Sequence, residues 1–238
     1  MSEASGRAAG RESTSAALAD TTGENLLVSG GPLVGKRAFV VDVATAAATA
    51  GRDVLVVTAT SGARSLPERL LAAGHVAVVD CSPGRTDPVG PVSTVSSPAD
   101  LTGVSMPVSR FLADADSPVV VVDSISTLLV YADEAPVFRF LSVLTAHVRR
   151  SEGVGLYTID EGSHTEQTFR TFVQLFDGEV GLRAPDADGV EADAAGDAHA
   201  DPGPATGSEA TPTAASTEST PEVRVRGLAG FDGEWRPS

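Results

Sequence analysis

One lysine, one cysteine and one tryptophan occur in 238 residues, and each scarcity narrows what the chain can be. A single thiol, Cys81, rules out an intrachain disulfide framework and reads as a small buried residue at a strand end. The four histidines, His75, His147, His164 and His199, are scattered without metal-ligand spacing. Basic, aromatic-interleaved stretches of the kind that grip single-stranded nucleic acid are missing. No apolar run reaches membrane-spanning length, and residues 1–22 lack the apolar core of a signal peptide, so a soluble, cytoplasmic protein is expected. Positive charge is short as well. Seventeen basic against 32 acidic residues leave a formal net charge of −15, which repels phosphate backbones and anionic lipid. Neither a nucleic-acid nor a membrane partner is expected.

What the chain does have is enough apolar residue, 42%, to bury one domain. Residues 1–24 mix small, polar and charged types without a sustained period and read as a disordered N-terminal arm, with room for a short capping helix around Ala16 to Ala19. Over residues 25–184, apolar runs of strand length (25–29, 53–58, 76–81, 119–123, 153–159 and 180–183) alternate with segments of helical period (38–50, 66–73, 98–112, 124–131 and 164–176). A further amphipathic helix carries Val137, Leu141, Leu144 and Val148 on one face. That alternation specifies an α/β fold, a mostly parallel central sheet flanked by helices with right-handed crossovers. Residues 185–221 are rich in Ala, Asp, Pro and Thr, contain no Arg, Phe, Tyr or Trp, and read as a disordered acidic insertion. Residues 222–238 return to pattern: Glu-Val-Arg-Val-Arg puts Val223 and Val225 on one side, and Phe231 to Trp235 forms a turn, so a C-terminal hairpin closes the core.

The stretch Gly30-Gly31-Pro32-Leu33-Val34-Gly35-Lys36-Arg37 joins the first strand to the first helix and matches G-x-x-x-x-G-K at Gly30, Gly35 and Lys36. Glycines without side chains let backbone N–H groups close around phosphate oxygens, and the lysine reaches the terminal phosphates from the helix start. Lys36 is the one lysine of the chain. The plainer alternative is a glycine-rich strand-to-helix turn with nothing bound. Where Ser or Thr would offer a hydroxyl to Mg²⁺, the chain has Arg37.

With the loop, the strand end Val122-Asp123-Ser124-Ile125-Ser126 and the run Leu175-Phe176-Asp177-Gly178, residues 25–183 resemble the RecA-type ATPase core, specifically its KaiC/RadA-like branch, in a degenerate form. The acid-rich, lysine-poor composition is similar to that of proteins from salt-loving archaea. The resemblance implies a single RecA-like P-loop domain that takes ATP or ADP through Gly30 to Arg37. It implies a Walker B acid at Asp123, for which a helix N-cap is the bland alternative. The resemblance also puts Asp160 and Glu161 at the family's sensor position, between the loop strand and the Asp123 strand, for which a solvated turn before His164 is the plainer reading. A homo-oligomer or a regulatory protein partner also follows from it. Two departures bear on chemistry: Arg37 removes the Mg²⁺ hydroxyl, and Ala59-Thr60-Ser61, after the second strand, lacks the acid that polarises water in active relatives. The expectation is therefore a non-catalytic or weakly nucleotide-binding protein with a regulatory or signalling role, weak or absent use of Mg²⁺, and no assigned catalytic residue or metal ligand. The alternative is an ATPase with rearranged groups or groups supplied by a neighbouring subunit.

Overall fold

Valine dominates the central strands because β-branched side chains suit a pleated surface covered on both faces. A computed structural model describes residues 14–84, 92–185 and 221–237. Its strands are β1 (Asn25–Gly30), β2 (Val54–Thr58), β3 (Val76–Asp80), β4 (Val92–Thr94), β5 (Val119–Asp123), β6 (Val154–Thr158), β7 (Gly178–Arg183), β8 (Glu222–Arg226) and β9 (Arg236–Pro237). They form one sheet in the order β4-β3-β2-β5-β6-β1-β7-β8-β9. Every pair from β4 to β7 is parallel, and β7-β8 and β8-β9 are antiparallel. This is the expected α/β fold with a mostly parallel sheet and a closing C-terminal hairpin.

Helices cover both faces. One face carries α1 (residues 14–19), α2 (Lys36–Thr49) and α3 (Glu68–Leu71), the last preceded by a short 3-10 turn at Ala63–Ser65. The other carries α4 (Leu101–Asp114), α5 (Ile125–Tyr131), α6 (Glu134–Arg150) and α7 (Glu166–Val173). Alternate residues of each strand feed the two cores: Val54 and Val56 point to the α2 side, Leu55 and Val57 to the α6 side. Caps set several helix starts, since the side chains of Asp100, Ser124 and Thr165 accept from the N–H of Gly103, Thr127 and Thr168. Ser124, rather than Asp123, is the cap of α5.

The arm expected over residues 1–24 differs from residue 14 onward. Leu18 is fully buried against the α2-side core, and the Arg52 guanidinium donates to the carbonyls of Ala19, Thr21 and Ser117. The short helix allowed around Ala16 to Ala19 forms over residues 14–19, but two buried apolar residues are too few to show in sequence which face it packs. The expectations for residues 1–13 and 186–220 lie outside the described residues. Within β8, Val223 and Val225 are buried opposite Leu182 and Val180. The guanidinium groups of Arg183 and Arg224 lie over the Trp235 ring, 4.3 and 4.4 Å from its centroid. No helix among the described residues is long and apolar enough to cross a membrane.

Candidate functional site

Parallel register brings the C-terminal strand ends to one level on the α2 side of the sheet. Thr58 pairs with Asp80 on one side and with Asp123 on the other. All three are buried, and the Thr58 hydroxyl has no hydrogen-bond partner among the described residues. Thr158, at the end of β6, donates weakly to Asp123 Oδ1 at 3.3 Å. Beyond β6 lies β1, whose last residue, Gly30, opens the loop.

Gly30 has φ 151°, and a Cβ there would stand 2.4 Å from the Leu182 carbonyl oxygen, so the approach of β7 requires glycine. Gly35 caps α2 in the left-handed region at φ 85°, without a side-chain cap and without an acidic residue in the first turn. The N–H groups of that first turn are thus left to a ligand or to water. Leu33 stands at the loop tip, fully exposed, with Pro32 exposed beside it and Gly31 and Val34 half-buried.

The two adjacent cations point to different acids. Lys36 is 8% exposed, and its Nζ donates to Gly30 O at 2.9 Å and Gly31 O at 2.5 Å and pairs with Asp160 Oδ1 at 2.7 Å. Arg37 pairs with Asp123 Oδ2 at 2.8 Å and donates to Ser65 Oγ at 2.5 Å. Burial pushes the Asp123 carboxyl above the usual carboxylate range, while the Arg37 charge and the Thr158 hydrogen bond pull it back. The strand order β5-β6-β1 places the end of β6 between the Asp123 strand and the loop strand, as the resemblance implied. The Glu161 N–H donates to Gly30 O at 2.9 Å, and the Asp160 N–H to Ser126 Oγ at 2.9 Å. After β2, the Thr60 hydroxyl bonds Thr127 Oγ1 at 2.9 Å, and Ser61 is exposed.

This donor set suits a phosphate: an uncapped helix start, glycines that hold the turn open, and an ammonium at its base. It suits Mg²⁺ less well, because the Asp123 oxygen that would orient a metal-bound water already accepts from the Arg37 guanidinium. Sequence reasoning did not identify Ser65, Thr158 or His164 as parts of this cluster, and Ser126 entered it only as the last residue of the motif after β5. Ser126 links Asp160 to His164, whose Nε2 lies 2.8 Å from Ser126 Oγ.

A family model described as DUF7504, a family of unknown function, matches residues 23–182, the whole stretch from the entry of β1 to β7. The chain belongs to DUF7504. A search of curated proteins returns no match. Among solved structures, this DUF7504 chain is similar to the KaiC-like protein PH0186 from the hyperthermophilic archaeon Pyrococcus horikoshii OT3, at a TM-score of 0.59 and 14% identity, covering 90% of this chain and 83% of that one. At that identity the likeness establishes a shared fold, the KaiC-like RecA fold.

Proposed function

We propose that the chain is a P-loop protein that binds a nucleotide through Gly30 to Arg37 without hydrolysing it, and that it acts as a regulatory or signalling partner. The observation that carries this reading is the Arg37–Asp123 pair at 2.8 Å. A residue that should offer Mg²⁺ a hydroxyl instead puts a fixed positive charge on the acid that should hold the metal's water. Phosphoryl transfer needs charge neutralisation at the β- and γ-oxygens and a carboxylate to orient water. Arg37 supplies a positive charge but no hydroxyl for a metal, and no acid follows β2 at Ala59-Thr60-Ser61. Binding remains feasible because the loop amides and Lys36 need no metal. ATP and ADP are the ligands the fold suggests.

Calorimetric titration of the full chain with ATP and ADP in concentrated salt, with and without Mg²⁺, tests binding. The dissociation constant is expected to change by less than about tenfold on adding Mg²⁺, a difference below about 1.4 kcal/mol. Arg37→Thr is expected to raise that Mg²⁺ dependence. Steady phosphate release from the wild type that disappears in Lys36→Ala would overturn the non-catalytic reading and point to Asp160, Glu161 or a neighbouring subunit as the source of the missing carboxylate.

A further inference from the structure

An ammonium has three N–H donors, and those of Lys36 meet three oxygens. Gly30 O at 2.9 Å and Gly31 O at 2.5 Å belong to the loop and hold the ammonium beneath the turn. The third is Asp160 Oδ1 at 2.7 Å. A phosphate oxygen that leaves the loop as it stands reaches Lys36 only along this third direction. Any phosphate ligand, whatever its chain length, therefore meets the lysine by taking it from a carboxylate of the same chain.

That carboxylate is anchored but releasable. The Asp160 N–H donates to Ser126 Oγ at 2.9 Å, which also bonds His164 Nε2, and the next N–H, of Glu161, donates to Gly30 O at 2.9 Å. These bonds tie its backbone to the first turn of α5 on one side and to the loop on the other, so the side chain can turn away without carrying its charge far. Asp160 is 35% exposed against 8% for Lys36. Water can thus solvate the released carboxylate, whereas the enclosed ammonium needs another anion in its place.

We infer that Asp160 is an autoinhibitory group, an anion built into the chain that competes with phosphate for Lys36 and lowers the affinity of the loop for every phosphate ligand by a common factor. The inference rests on the nucleotide-binding reading above. Only molecules whose lysine is free of Asp160 are ready for a phosphate, and the apparent dissociation constant is the intrinsic one divided by their fraction. The displaced charge, kept close by its backbone, adds to the cost. Glu166, six residues on, is a contrasting acid: it pairs with Arg170 of its own helix and leaves Lys36 alone.

Calorimetry of the full chain with ADP, ATP and inorganic pyrophosphate in excess chelator tests this on the wild type, Asp160→Asn and Glu166→Gln, with thermal melts to establish that each is folded. Asp160→Ser replaces the asparagine variant if that one melts early. Asp160→Asn is expected to bind all of these ligands about tenfold more tightly than the wild type, with gains that agree within about threefold, as for a lysine free in about one wild-type molecule in ten. Glu166→Gln, which removes the same charge without touching the lysine, is expected to stay within about threefold of the wild type. A gain below about threefold in Asp160→Asn, a gain confined to one ligand, or an equal gain in Glu166→Gln overturns the competition and leaves the nucleotide reading standing. Binding of no ligand by any of these proteins overturns both.

Discussion

Asp80 and Asp123 end two strands that flank β2, in the similar sequences Val78-Val79-Asp80-Cys81-Ser82 and Val121-Val122-Asp123-Ser124, and both are buried on the same face. Their partners separate them. Asp80 accepts from the N–H groups of Ala63 and Ser82 and from Ser82 Oγ, at 2.8, 3.0 and 2.6 Å. Asp123 faces the Arg37 guanidinium and the Thr158 hydroxyl. Backbone amides cannot move away without unfolding the turn that carries them, whereas a long side chain can. The first acid therefore holds a loop together, and the second takes part in an exchangeable contact. Position at a strand end does not tell a structural carboxylate from a functional one; the kind of donor it meets does.

The largest effect that tests the contrast is on stability. Asp80→Ala leaves two buried N–H groups and a hydroxyl without their acceptor and is expected to cost about 3 kcal/mol, read from denaturant unfolding. Asp123→Asn is expected to cost about 1 kcal/mol, because the freed Arg37 is partly exposed and water can take over its donors. Equal losses would break the comparison.

The pH response is smaller and has a definite sign. The folded chain binds the Asp123 proton more readily than the unfolded chain, since burial raises the carboxyl against the opposing pull of Arg37. The stability contributed by Asp123 is therefore greatest below the ordinary carboxylate range and is lost as pH rises through the raised folded value. The advantage of the wild type over Asp123→Asn should be widest at about pH 3 and shrink toward about pH 7 in melts at fixed ionic strength.

The smallest effect concerns the thiol beside Asp80. Burial, with the charge of Asp80 adding to it, pushes Cys81 up to about 12, and its Sγ donates to Thr58 O at 3.4 Å. Alkylation of the native wild type at neutral pH should be slow and follow global opening. It should quicken in Asp80→Ala and stay unchanged in Asp123→Asn, as followed by mass spectrometry.

The parts of this arrangement that are contiguous in the chain were legible from it. The loop from Gly30 to Arg37 announces itself because its glycines, lysine and flanking strand and helix patterns are neighbours. Asp123 stands out at the end of four valines. The partners of these groups were not legible, since Arg37 meets Asp123 across 86 positions and Ser65 across 28, and His164 meets Ser126 across 38. Register, not spacing, makes those contacts. Asp80 carries the same Val-Val-Asp signal as Asp123, yet its sequence does not disclose that the turn at Ala63 comes back to it. The helix expected over 66–73 is shorter in the fold, Glu68–Leu71, because Leu66 and Pro67 are extended, at ψ 141° and 140°, and Pro67 is its N-cap.

The contact of Trp235 with Arg183 and Arg224 makes the chain its own optical reporter. No other indole contributes to the emission, so fluorescence excited selectively in that ring watches the junction of the last strands alone. Cation–π contacts of this kind contribute on the order of 0.5–1 kcal/mol each, little enough for the edge to open before the valine-rich centre does. Comparing that emission with far-ultraviolet circular dichroism during one melt would show whether the closing hairpin detaches as a separate cooperative unit or leaves with the whole sheet.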